Sequence, residues 1–210
     1  MLSFLASAPK RHPQAHSSTL TLEDGATTIQ FLDKLSSSAA EPPYSMRIHH
    51  KPGDSLANPP YHFHQYQTET FHVEKGVFRA TVEGTTTDIS PGNDITITPG
   101  LYHKYVNGSD TESLIVSVRL DPEERERDEA FFRNLYCYLD DCRKGGVAPN
   151  VAQLCLFLHF FDCPLAVPVG PKVVGRPLSV WFTWVVGVVV GKWLLGFRES
   201  YGEYCKPKAR

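Results

Sequence analysis

The chain has 210 residues, with 21 Lys and Arg against 23 Asp and Glu for a formal charge of -2. That length holds one domain of about 100–150 residues plus an appendage, and with no run of Lys or Arg to track a phosphate backbone, nucleic acid is not an expected partner. Five cysteines, Cys137, Cys142, Cys155, Cys163 and Cys205, all lie after residue 136 without CxxC or zinc-finger spacing, which argues for reduced, packed thiols in an intracellular protein.

Residues 1–25 are rich in Ser, Pro, His and Ala without periodicity and read as a loosely ordered N-terminal arm. The opening MLSFLASAPKR has a short apolar run but no basic segment before it, which argues against a secretory signal. From 26 to 120 the pattern changes to short runs rich in β-branched and aromatic residues: TTIQFL, SMRIHH, YHFH, ETFHVE, VFRATVE, DITIT and SLIVSVRL. Turn signals such as KPGD, EKG, VEGTT, SPGND and VNGSD separate them. Short strands at such close, regular intervals predict an all-β sandwich or barrel.

Over 121–146 the period becomes helical. Asp121 is placed to cap, Pro122 to take the first helical position and Glu124 to complete a capping box, while Leu135, Leu139 and Cys142 share a face and Gly145-Gly146 ends the run. Residues 147–197 form a hydrophobic helical extension, opened by Asn150 as a cap and interrupted at Pro164 and Pro168. Within it, 178–197 (LSVWFTWVVGVVVGKWLLGF) carries Lys192 as its single charge. This meets the length of about 20 residues needed to cross hydrocarbon. Trp181, Trp184 and Trp193 suit a membrane interface, and Gly187 and Gly191 permit close helix packing. The reading is a membrane span or an in-plane anchor, against a helix buried on the barrel or in a homodimer interface; the lack of a polar face favours membrane contact. Residues 198–210 read as a polar tail.

Chemistry concentrates in HFHQYQTETFHVEKG, His62 to Gly76. In a strand His62 and His64 point one way, and Tyr61, Phe63 and Gln65 the other. Glu69 has opposite parity, so a turn or bulge between Gln65 and Thr68 is needed for it to join the histidines. From Glu69 onward, Phe71 and Val73 share the carboxylate's face, which puts His72 on the opposite one and removes it as a ligand. Further along, PGNDITITPGLYHKYVN supplies His103. Three imidazoles and a carboxylate form an N3O set that suits Fe(II), Mn, Zn, Ni or Cu and leaves positions open for substrate or dioxygen.

These spacings resemble the cupin family. His62-x-His64, Glu69 and Gly76 match the metal-binding half of the first cupin motif, and Gly92, Gly100, His103 and Asn107 match the second, with Thr98-Pro99-Gly100 where Pro-x-Gly is usual. The match covers about Ser45 to Leu120. It implies a double-stranded β-helix, the cupin jelly-roll barrel, with a C-terminal α-helical extension, and one divalent metal, iron first among those named, held by His62, His64, Glu69 and His103. Tyr61, Phe71, Phe78, Tyr102 and Tyr105 are candidates to line the substrate pocket; no residue is singled out as catalytic.

A single cupin followed by a D-P-E-E-R helix and a hydrophobic C-terminal segment further resembles small fungal cupin-domain proteins of secondary-metabolite clusters, including those for reduced, salicylaldehyde-type polyketides. That resemblance implies a metal-dependent oxidoreductase acting on a hydrophobic, polyketide-derived small molecule. The alternatives are a non-catalytic small-molecule-binding or scaffolding cupin at a membrane, or a metal-dependent isomerase or cyclase. The expected location is intracellular, with membrane association through 178–197.

Overall fold

A computed structural model describes residues 8–32, 44–53 and 55–205. The chain divides into two units: Ser17–Arg125, and the two chain ends up to His16 and from Glu126.

The first unit is built from strands β1 (Thr19–Leu22), β2 (Thr27–Phe31), β3 (Met46–His50), β4 (Thr68–Lys75), β5 (Phe78–Val82), β6 (Thr85–Ile89), β7 (Asp94–Ile97), β8 (His103–Asn107) and β9 (Leu114–Asp121). One sheet has the order β1-β2-β3-β9-β4-β7 and the other β6-β5-β8, with antiparallel pairing throughout. Alternation drives this arrangement. In β4, Glu69, Phe71 and Val73 are buried while His72 and Glu74 are partly exposed, and β9 pairs Phe71 with Val118 and Val73 with Val116. The sheets meet through aromatic side chains: Phe71 lies 4.8 Å from Phe78 and 5.2 Å from Tyr105, and the latter two stack at 4.7 Å between centroids. Each such pair adds about 0.5–1.5 kcal/mol beyond the area it buries.

Gly76, between β4 and β5, has φ +81°, and a Cβ there would lie 2.5 Å from the Ser113 carbonyl oxygen. Only glycine fits that crossing, which accounts for its place in the spacing read above.

The second unit contains α1 (Arg125–Lys144), which begins at the division between the units, α2 (Val151–Phe160), and α3 (Lys172–Trp184), which continues as a π-helix over Val185–Leu194. The ends of α1 and α2 follow local rules. Gly146, at φ +61°, donates to the Arg143 carbonyl, and Val147 donates to that of Cys142, closing α1 as a left-handed cap. Asn150 caps α2, its side chain accepting from the Ala152 N–H at 2.9 Å. The π-helix packs on α2 backbone to backbone: a Cβ on Gly187 would sit 2.7 Å from the Leu156 nitrogen, and one on Gly191 2.8 Å from the Ala152 oxygen. None of the five cysteines forms a disulfide, and all but Cys205 are buried.

Several expectations need correction. The chain is a β-barrel joined to a separate helical unit, so an all-β class holds for the barrel alone. The N-terminal arm is not loose where it is described: Leu20 and Leu22 are fully buried in β1, and Gln14 and Ala15 donate to the Glu203 carbonyl. Expectations for residues 1–7 and 206–210 lie outside the described residues. Asp121 does not cap a helix; it pairs with Thr68 at the end of β9, and α1 starts at Arg125. Of the segment 178–197, only 178–194 is helical, as part of a helix that starts at Lys172 and ends at Leu194. The tail is not simply polar, since Tyr201 and Tyr204 are buried. YHFH forms a single bridge at His62 rather than a strand.

Candidate metal centre

Backbone hydrogen bonds join the two motifs. His62 donates to the His103 carbonyl at 3.1 Å and His103 returns the bond at 2.8 Å, while Gly100 donates to the His64 carbonyl at 2.8 Å. After His64 the chain bends at Gln65–Tyr66 before β4 begins. That bend is the parity change Glu69 requires. His62, His64, Glu69 and His103 are all buried, and each offers a donor atom within 4.8 Å of the others'. His103 Nε2 lies 3.1 Å and His64 Nε2 3.4 Å from Glu69 Oε2.

The ring orientations fit a cation at this point. His62 Nδ1 is 2.8 Å from the Pro60 carbonyl oxygen and His103 Nδ1 is 2.9 Å from that of Leu101. A carbonyl accepts only, so in each ring Nδ1 carries the proton and neutral imidazole turns an Nε2 lone pair towards the cluster. At His103 that lone pair would face a carboxylate oxygen across 3.1 Å, a repulsive contact unless a positive charge lies between them. Donors so spaced suit a shared ion with bonds of about 2.0–2.2 Å. Burial, helped by the neighbouring imidazoles of His103 and His64, pushes the His62 pKa well below its ordinary value and keeps it neutral. Burial works against ionisation of Glu69, but its close contacts with the His64 and His103 ring nitrogens outweigh it and hold the carboxyl well below the usual range. The buried His-His-Glu-His cluster therefore fits a divalent metal ion.

The aromatic candidates divide into two groups. Phe71 and Tyr105 follow two residues after Glu69 and His103 on the same faces, and with Phe78 they make a dry aromatic layer beside the cluster. Tyr61 and Tyr102 face the other way. Tyr102 packs on Phe63 at 5.2 Å and on Tyr61 at 5.9 Å, and the Tyr61 hydroxyl accepts from Gly84 N–H. Tyr102 is buried in this second group and Tyr61 half-buried. His72 also points away, with Nδ1 2.5 Å from Asp94.

One interior group escaped the sequence reading. His50, fully buried on β3, has neither ring nitrogen hydrogen-bonded and lies 6.4 Å from the Tyr105 ring. Its only sequence signal was an interior position in SMRIHH. A cavity of about 290 Å³, walled by Phe131, Phe157, Phe160 and Phe161, belongs to the helical unit.

Residues 46–119 match the Cupin domain family. The chain is 33% identical over 208 residues to "Probable oxidoreductase virH" of Hypocrea virens, covering 96% of this chain and 92% of the relative. It is 37% identical over 118 residues to "Oxidoreductase iacF" of Pestalotiopsis fici, covering 54% of this chain and 58% of the relative. It is 30% identical over 158 residues to "Epoxidase atD" of Aspergillus terreus, covering 70% of this chain and 46% of the relative. The chain thus spans nearly all of the first relative and about half the length of the other two. With both motifs in register on one barrel, the chain belongs to the cupin family, together with fungal proteins named as oxidoreductases.

Proposed function

We propose that this protein is a metal-dependent cupin oxidoreductase acting on a hydrophobic, polyketide-derived small molecule in secondary-metabolite biosynthesis, inside the cell. The observation that carries the reading is the buried cluster of three imidazoles and one carboxylate, oriented by the Pro60 and Leu101 carbonyls. The names of the relatives, one of them an epoxidase, support oxidation as the reaction class.

His62, His64, Glu69 and His103 would hold the ion. A bound divalent metal, iron first among Fe, Mn, Zn, Ni and Cu, supplies a Lewis acid for a substrate oxygen and a site for dioxygen as oxidant. The protein's own contribution is preorganisation. Two imidazoles are locked by their Nδ1 bonds, Glu69 is kept ionised, and Phe71, Phe78 and Tyr105 keep water from one side of the site. Cysteines without disulfides, most of them buried, support an intracellular setting.

The test is elemental analysis of anaerobically iron-loaded protein, wild type against His64→Ala, followed by dioxygen uptake with hydrophobic polyketide intermediates. Near-stoichiometric iron in the wild type, lost in the variant together with substrate-dependent uptake, is the expected result. Product formed equally without dioxygen would replace oxidation by isomerisation or cyclisation. Failure of the wild type to hold any metal would leave a binding or scaffolding role.

A further inference from the structure

The helix Lys172–Leu194 has two faces of different character. On one, Gly175, Ser179, Thr183, Gly187 and Gly191 recur every fourth residue and are buried; at Gly187 and Gly191 this face touches the α2 backbone. On the other, Val173, Trp181, Phe182, Trp184, Trp193 and Leu194 are exposed, Trp181 and Trp193 each at 59%. Only 28% of the helix's apolar stretch is buried. A helix on an aqueous surface turns charged and polar residues outward, whereas this one turns out tryptophan, phenylalanine and valine.

Charge identifies what covers that face. No Asp or Glu occurs between Asp162 and Glu199, while the same stretch carries Lys172, Arg176, Lys192 and Arg198. Lys192 pairs with Glu199 at the stretch's edge. An apolar face with interfacial tryptophans and a wholly cationic complement matches the headgroup region of an anionic bilayer. We infer that the exposed face of Lys172–Leu194 docks in the plane of an anionic membrane surface, while its small-residue face stays on α2.

The packing separates this arrangement from its rivals. A spanning helix would have to take α2 with it, and α2 is tied to polar groups: Gln153 donates to the Arg198 carbonyl at 3.0 Å and accepts from the Tyr201 hydroxyl at 2.6 Å. These would be costly in hydrocarbon. A second copy could not use the glycine face, because α2 already fills it. The inference is independent of the metal chemistry and would survive its failure.

The test is flotation of the full chain with phosphatidylcholine vesicles, with or without phosphatidylserine, combined with quenching of tryptophan by lipids brominated at shallow or deep positions. Wild type should float with the serine-lipid vesicles and be partly released as salt rises from about 0.1 to 1 M, where screening shortens from about 10 to 3 Å. The shallow label should quench more strongly than the deep one. The variant Trp181→Ser/Trp184→Ser/Trp193→Ser should lose at least tenfold in partitioning while keeping its far-ultraviolet circular dichroism and metal content. The salt and quenching results on wild type decide the matter if that variant misfolds. Absence of wild-type flotation, stronger quenching from the deep label, unchanged flotation of the folded variant, or a stable homodimer that the variant dissolves would each overturn the inference.

Discussion

Individual side chains in this barrel are held to different standards by the water they lose. His50 shows the cost of burying a base without a hydrogen-bond partner: burial pushes its pKa from 6.5 down to about 4, with Glu23 opposing and His49 reinforcing. Below pH 6.5 the unfolded chain takes up a proton that the native site refuses, so stability falls as pH drops through that window and levels off near 4. By pH 5 the loss from this residue alone is about 2 kcal/mol. His50→Leu removes the titration and the two unsatisfied nitrogens. It should be neutral or slightly stabilising at pH 7.5 and should recover about 2 kcal/mol relative to wild type at pH 5, as read from urea melts at both values; the same pH dependence in both proteins would clear His50 of the role. The contrast with His62 explains what was legible in the sequence. His62, His64, Glu69 and His103 stand at a recognisable spacing, and strand parity with one bend is enough to bring them together. Parity also puts His50 inside, but nothing in a sequence tells whether an inward imidazole meets a partner, since that depends on long-range neighbours such as Tyr105.

Among the elements, those with strong local signals were readable and those defined by their neighbours were not. β2, β3, β4, β5, β7 and β9 arise from alternating apolar runs, and Asn150 and Gly146 mark helix ends by backbone chemistry. By contrast β6, TTTDI, is almost wholly exposed and resembles a turn until β5 pairs with it. The boundary at Asp121 failed for a similar reason: a capping sequence was outcompeted by a ladder partner, Thr68, far away in the chain. The glycine pair of the last helix read as a weak association signal, and its partner proves to be α2. This makes Gly187 an element-scale test. Alanine favours a helix over glycine by about 1 kcal/mol, but its methyl group would be 2.7 Å from both the Cys155 carbonyl carbon and the Leu156 nitrogen, backbone atoms that cannot rotate aside. Overpacking at about 1–3 kcal/mol or more should win. Gly187→Ala should therefore lower the melting temperature and raise amide exchange along α2, while Gly202→Ala, whose Cβ meets nothing within 4 Å, should change little.

At the scale of the molecule, the barrel is an insertion: the described chain lies in the helical unit up to His16, returns to it at Glu126 and stays in it to Cys205. A unit made from both chain ends needs a fastening that local sequence does not announce, and Asp141 on α1 supplies it. It is buried, and its carboxylate accepts from the His12 N–H at 2.9 Å and from the Tyr204 hydroxyl at 2.6 Å, with His12 Nδ1 also 2.6 Å away. Arg11 adds a bond to Glu203 at 3.0 Å, but that pair is partly exposed and contributes little. Removing the carboxylate deletes acceptors for both ends together and leaves the fully buried Tyr204 hydroxyl without its partner. The cost should be about 2–4 kcal/mol, set more by the stranded donor than by the average worth of a hydrogen bond. Asp141→Ala should accordingly become sensitive to protease at both termini at once and melt earlier in the helical unit. Because Asp141 belongs to the helical unit and the four candidate ligands to the barrel, any metal that the wild type holds should be retained. Cleavage at one end alone would mean that the two ends are held separately, and that the insertion is closed by something other than this carboxylate.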